Sequence, residues 1–305
     1  MNFEFLKNKK EAGIVLAIIA TLIWSGNFII AKGVTKIIPP ISLSFFRWLC
    51  ATILLFPFIK SSILKEWTAI KNAWVYLFWI SFSGIALFNT LVYWAGHYSS
   101  AINLALIGTT ASPIISIILS RIFLKEKIGW QKFFGVGFCV SGILLLLSKG
   151  NFQNLLQLRF TKGDLLILLA AICFAVYNTL VKSKPKGISS LNFLFTIFAF
   201  GTLLLFPFFI YEMTYSFPIK WNLNLFSIII YLGMGTSVIS FLFWNKAISK
   251  LGAGRTALFG NLIPIFTTIE AVFFLNEIFT IIHIVSMALV FVGIAVANWK
   301  VKPSI

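Results

Sequence analysis

Ile41-Ser-Leu-Ser-Phe45 and Leu55-Phe-Pro-Phe58 recur as Leu191-Asn-Phe-Leu-Phe195 and Leu205-Phe-Pro-Phe208, displaced by 150 residues without a gap. At the same offset Trp94 falls on Trp244. One residue later, Pro113 falls on Pro264, Leu124-Lys-Glu126 on Leu275-Asn-Glu277, and Gly142 on Gly293. The chain therefore reads as two copies of one unit, residues 1–150 and 151–305. What each copy contains follows from the apolar runs around these landmarks.

Of the 305 residues 59% are hydrophobic and only 11% charged. A water-soluble domain carries about 25% charged residues, so most of this chain is expected to be solvated by lipid. Runs able to cross about 30 Å of hydrocarbon are read at 13–31, 41–59, 73–95, 101–120, 130–148, 165–181, 191–211, 225–244, 256–275 and 281–299. The predicted fold is all-α and polytopic, with ten transmembrane helices, five per copy. The first run is too long for a signal-peptide core of about 7–15 residues, and is read as a retained span. An odd number of spans forces the second copy into the membrane upside down.

The charge pattern tests this independently. A net charge of +17 invites a nucleic-acid partner, but the cations form small clusters between apolar runs, as the positive-inside rule produces. With the N-terminus in the cytoplasm, eighteen of the 25 cations fall in inside segments and six outside, with Arg47 inside a span. Both termini are thus expected in the cytoplasm, with the lipid bilayer as partner and no nucleic acid. Homologous loops exchange charge with side: 121–132 carries four cations and its equivalent near 272–282 none, while 96–100 carries none and 246–255 three. Inverted repeats of this kind are a device of transporters with alternating access.

Trp24-Ser-Gly-Asn27-Phe…Lys32 with Pro40 and Arg47, then Trp94-Ala-Gly-His97-Tyr-Ser-Ser-Ala101…Ser112-Pro113…Phe123-Leu-Lys-Glu126, resemble the signatures of an EamA domain. Trp244-Asn-Lys-Ala247…Gly254…Ile263-Pro264…Phe274-Leu-Asn-Glu277 repeats the second of them. The whole chain resembles the ten-helix drug/metabolite transporter superfamily, with one EamA domain per half. The resemblance implies a secondary transporter, mostly an exporter of amino acids, other metabolites or toxic compounds, with a few importers. Phe174-Ala-Val-Tyr177-Asn178 replaces the opening signature in the second half, so substrate contacts are not expected to be symmetric.

Polar residues inside spans are costly in hydrocarbon and tend to face a bundle interior. Trp24 and Asn27 share a face of the first span, Tyr177 and Asn178 hold the equivalent level of the sixth, and Asn89 and Tyr93 share a face of the third. With Trp244 and Asn261 these are the expected substrate-binding residues; interhelical hydrogen bonding is the competing role for the asparagines. For Trp94 and Trp244, anchoring at the membrane interface competes. Pro113 and Pro264 are expected to kink spans four and nine mid-span. Gly135, Gly137, Ser141 and Gly142 form an expected helix-packing seam. Glu126 and Glu277 read as solvated or paired loop carboxylates, His97 and His283 as solvated histidines. Cys50, Cys139 and Cys173 suggest neither a disulfide framework nor a metal site.

Arg47 and Glu270 stand apart as opposite charges well inside spans, at depths of about 9 and 8 Å from the outer ends by a rise of 1.5 Å per residue. They are expected to pair in the outer half as a coupling or gating element, unless Arg47 snorkels to the headgroups. Proton or cation coupling is the implied energy source, since no P-loop marks a nucleotide site. No cofactor and no catalytic motif is read, and the state expected is a monomer or weak homodimer. The function expected is export of a small amphipathic metabolite across the cytoplasmic membrane. A lipid or carrier-lipid flippase, or a metabolite importer or exchanger, remains the alternative.

Overall fold

The computed structural model describes residues 9–123, 129–151, 153, 160–181, 183–251, 256 and 259–297. Among them there is no β-strand. Ten apolar helices carry the fold: α1 Lys9–Gly33, α2 Pro40–Ile59, α3 Trp74–Gly96, α4 Ala101–Phe123 and α5 Trp130–Leu147, then α6 Lys162–Val181, α7 Ser190–Tyr215, α8 Leu223–Leu251, α9 Leu262–Leu275 and α10 Ile281–Ala297. Seven are long and apolar enough to cross a membrane; α5, α9 and α10 contribute shorter apolar stretches. The protein is a polytopic all-α membrane protein. A six-residue helix, Trp67–Asn72, interrupts the connection between α2 and α3.

Helix starts follow the local chemistry. Pro39 and Pro40 open α2, where proline's missing N–H is no loss. Thr161 and Asp164 open α6 as a reciprocal cap: each backbone N–H donates to the other's side-chain oxygen, at 3.0 and 3.1 Å. Asn222 caps α8 through the N–H of Leu225. At the end of α9, Asn276 takes the left-handed conformation at φ 53°, and the Glu277 N–H returns to the Ala271 carbonyl.

Three pairs of equivalent helices, α2 with α7, α4 with α9 and α5 with α10, lie against each other and run antiparallel. Phe45 of α2 stacks on Phe209 of α7 at 4.4 Å, whereas Trp48, farther along α2, meets Phe198, earlier in α7. Gly135 of α5 adjoins Gly293 and Ala297 of α10, while Gly142 adjoins Ser286 and Val290. The C-terminal end of α9 meets the start of α4. The remaining contacts exchange between halves: α1 packs on α8 and α9 as α6 packs on α3 and α4. The duplicated Leu-Phe-Pro-Phe stretches point outward, with Phe56, Phe58, Phe206 and Phe208 all at least half exposed, a position suited to lipid rather than water.

Two expectations are corrected. Pro264 is not mid-span: α9 starts at Leu262, after a turn at Gly260 and Asn261, so the proline sits in a first turn. Pro113, by contrast, lies inside a continuous α4. In the small-residue seam Gly137 has open space beside it and Ser141 is exposed, because both face away from α10. Gly135, Gly142 and the unanticipated Gly293 form the contact instead. Glu126 and Gly254 lie outside the described residues.

A Cβ on Gly293 would stand 2.6 Å from the Gly135 carbonyl oxygen and 2.8 Å from the Cys139 nitrogen, both backbone atoms that cannot turn aside. Gly293→Ala is therefore expected to destabilise the fold by about 1–3 kcal/mol, the usual cost of overpacking. Gly137→Ala should be neutral or slightly stabilising. Thermal unfolding in detergent, followed by size-exclusion fluorescence, checks both.

Candidate functional site

Arg47 lies two turns into α2 and turns inward, with 4% of its surface exposed, so it does not snorkel. Its Nη1 is within hydrogen-bond distance of Asn27 Oδ1 (2.7 Å), Asn89 Oδ1 (2.7 Å) and the Tyr93 hydroxyl (2.8 Å). Its Nε donates to Ser237 Oγ at 2.9 Å. The Tyr93 hydroxyl in turn donates to Asn27 Oδ1 at 2.9 Å. One guanidinium thus joins α1, α2, α3 and α8, three helices of the first half and one of the second. The Trp48 ring covers one of its faces, 4.6 Å from Cζ. All the hydrogen-bond partners are neutral.

Both helices reaching Arg47 from beyond α1 contain a π segment, Phe82–Leu87 in α3 and Tyr231–Ile239 in α8. Single π turns favour functional places, and these two occupy equivalent positions in the repeats. In α8 the Ser237 hydroxyl that accepts from Arg47 also donates to the Leu232 carbonyl, five residues back. The Thr236 carbonyl accepts from Trp24 Nε1 at 2.9 Å. Trp24 then rests on Phe241 and Trp244, at 5.5 and 5.2 Å between ring centroids.

Glu270 is half-buried on α9 and faces α1. Its Oε1 accepts from the Ser25 hydroxyl at 2.8 Å, and its Oε2 is sealed from solvent with no partner. Tyr231, whose hydroxyl donates to the Ile23 carbonyl, lies in the electrostatic field of both Glu270 and Arg47. No ion pair joins these two charges among the described residues. The expected direct pair is thus corrected: α1 presents Asn27 to one charge and Ser25 to the other, and each is engaged separately.

The other predicted residues divide. Trp24, Asn27, Asn89, Tyr93 and Trp244 gather around the Arg47 hub or its aromatic flank. Trp244 packs on Trp24 instead of acting only as an interface anchor, whereas Trp94 is 45% exposed. Tyr177 stacks on Phe174 and lies against Gly84, within an apolar cluster that includes Ile85 and Phe198. Asn178 is half-buried beside it, and Asn261 flanks the start of α9; the hub includes none of these three. Ser25 and Tyr231 were missed; single hydroxyls in a long apolar run carry no distinguishing pattern.

The described acids at the helix ends are paired with helix starts. Glu277 accepts the backbone N–H groups of Ala101 and Ile102 at 2.6 and 3.1 Å, capping α4. Glu212 accepts from Ile41 N, Ser42 N and the Ser42 hydroxyl, capping α2. Glu66 takes the Ser189 N–H and the Asn192 amide at the start of α7. Burial pushes the Glu66 carboxyl up, but these bonds, with the nearby Lys184 charge, hold it below the usual carboxylate range. His283 is no solvated histidine: its Nδ1 accepts the Thr280 N–H and its Nε2 faces Asn103 at 3.3 Å. Burial and the Lys32 charge hold the half-buried His97 below the usual imidazole range. The three cysteines are free thiols.

Residues 11–148, and again 161–299, match the EamA-like transporter family. The uncharacterized transporter YyaM of Bacillus subtilis (strain 168) is 27% identical over 96% of this chain and 96% of its own. A probable terminal-alkyne amino-acid exporter of Streptantibioticus cattleyicolor is 24% identical over 71% of this chain and 70% of that protein. A crystal structure sharing 17% identity superposes with a TM-score of 0.61, covering 94% of this chain and 96% of that one; it shows the same fold.

The carboxylate caps give a direct test of the packing between halves. Glu277→Ala strips two backbone donors of their acceptor and is expected to cost about 0.5–2 kcal/mol, the range for a lost helix cap. Glu277→Gln, which keeps an acceptor, should cost less. The shift of the thermal unfolding midpoint in detergent measures both.

Proposed function

Since the chain belongs to the EamA-like transporter family, we propose that it is a secondary active transporter that exports a small metabolite, an amino acid or similar amphipathic solute, by alternating access. The supporting observation is the uncompensated polar hub at Arg47, held by helices of both halves inside a lipid-facing shell. A charge in that position is costly, and a solute path between two inverted halves gives it a use. The hub is enclosed by α1, α2, α3 and α8, which suits a water-soluble solute better than a lipid entering from the side. Trp24, Phe241 and Trp244 supply an aromatic flank for the apolar part of such a solute.

Glu270 is the coupling residue in this reading. Every other described acid beyond α1 caps a helix start, whereas Glu270 receives one hydroxyl and leaves Oε2 unpartnered. A carboxyl so placed leaves one oxygen for a proton or a cation. Proton entry from outside then exchanges for solute leaving the cell. We place both termini in the cytoplasm of a cell whose cytoplasmic membrane holds the protein, on the strength of the cation bias between alternate loops.

Two measurements test this. In cells expressing the protein, the medium should gain specific metabolites by untargeted analysis. Glu270→Gln should lower that proton-driven export at least ten-fold while leaving solute counterflow in proteoliposomes near the wild-type rate. Equal loss of counterflow, or an unchanged medium, argues against the reading. Cysteines introduced at Lys65 and Lys186 should label from inside only, and at Asn151 and Lys220 from outside only.

A further inference from the structure

We propose that Arg47 is the receptor for a single carboxylate on the transported solute, through its Nη2. The inference rests on the transport reading above and names the chemistry the hub selects. Among the described residues no acid touches the guanidinium. Asp164, Glu66, Glu212 and Glu277 are committed to helix starts, and Glu270 to Ser25. A buried arginine, 4% exposed as a residue, with only neutral partners lacks an anion, and an uncompensated buried charge costs several kcal/mol.

The geometry says where that anion goes. Nε is held by Ser237, and Nη1 by Asn27, Asn89 and Tyr93. Because the guanidinium is planar and rigid, those bonds fix the direction of Nη2. Nη2 donates to no described atom, yet it is not among the sealed, unpartnered atoms that include Glu270 Oε2. It is therefore not fully sealed, and its N–H groups have no partner among the described residues. Trp48 blocks one face of the guanidinium, leaving its edge and its other face for a ligand.

One cation matches one negative charge. Arg47 is the only buried cation among the described residues, so a phosphate carrying nearly two charges would stay half-neutralised, whereas a carboxylate is matched and gains a charge-assisted hydrogen bond. Asn27, Asn89, Tyr93 and Ser237 are positioning residues in this scheme: their oxygens aim the guanidinium and are spent on it. A cation serving only to glue helices together has no reason to leave one nitrogen of its guanidinium without a partner.

The test compares two mixtures on the purified full-length protein, by ligand-induced shift of the thermal unfolding midpoint. The first holds the twenty proteinogenic L-amino acids with lactate, pyruvate and benzoate; the second holds the carboxamides of the same compounds. The acids are expected to stabilise the wild type at concentrations at least ten-fold lower than the amides. Arg47→Gln should abolish that preference, and Arg47→Lys should retain part of it. Asn89→Asp, nearly isosteric, places an internal carboxylate on Nη1 and should abolish the preference without removing the hub, which covers the case of an Arg47→Gln protein that does not fold. Equal stabilisation by acids and amides, no stabilisation by either, or a preference surviving in Asn89→Asp would each overturn the proposal. If the acids fail while cells still export a neutral or cationic metabolite, the carboxylate inference falls and transport stands. If nothing is exported, the transport reading itself falls.

Discussion

A guanidinium cannot be left bare inside a membrane protein, and the centre of this molecule is organised around that constraint. Buried inside the bundle, Arg47 is met by oxygen atoms from three other helices, α1, α3 and α8. Their arrangement is one-sided, saturating Nε and Nη1 while Nη2 is left over. In a low-dielectric interior each such bond is stronger than in water, and each omission more costly. The hub consequently fixes the relative rotation of α1, α2, α3 and α8 more tightly than their apolar faces could. Leucine and isoleucine side chains pack almost as well a few degrees away; a hydrogen bond of 2.7 Å does not.

The same economy governs the anions. The sequence holds eight acids, and those described at the ends of helices satisfy backbone N–H groups that hydrocarbon or a headgroup layer would leave wanting. Glu212 serves Ser42, and Glu66 serves Asn192, its equivalent 150 residues on. The two caps cross between halves in opposite senses, as antiparallel packing of α2 on α7 requires. Glu277 does likewise for α4. These carboxylates stitch the halves together at their rims, while α5 and α10 close on each other through glycine backbones. Glu270 has neither task, which is why its loose coordination carries weight.

Much of this was legible in the sequence. The spans and the duplication were plain because lipid imposes a long apolar run on every crossing, and a repeat with an odd number of crossings must invert. Arg47 and Glu270 stood out for the converse reason, as charges where charges are costly. What could not be read was which atoms meet. Matching depth suggested that Arg47 and Glu270 pair, but depth is one coordinate; the azimuth of each helix turned Arg47 toward Asn27 and Glu270 toward Ser25. The acid caps were read as loop carboxylates because nothing in a sequence says which helix start lies across the way. The break before Pro264 was hidden by an apolar run that continues through Gly260 and Asn261.

The π segments set details of the site that helix periodicity alone does not give. A π turn adds a residue to the helix and so shifts the phase of everything beyond it by about 100° relative to a regular helix of 3.6 residues per turn. In α3 the segment ends at Leu87, immediately before Asn89 and Tyr93, so the wide turn sets the direction in which both reach Arg47. In α8 the segment contains Thr236 and Ser237 themselves, and the Ser237 hydroxyl bridges the Leu232 carbonyl to the guanidinium. The close approaches nearby have no room for a side chain: Gly84 lies against Tyr177, and a Cβ on Gly233 would stand 2.6 Å from the Cys50 sulfur. Glycines at those points are the one trace the wide turns leave in the sequence. The partners of Arg47 on α3 and α8 therefore depend on a backbone irregularity, duplicated with the fold, that apolar periodicity does not encode.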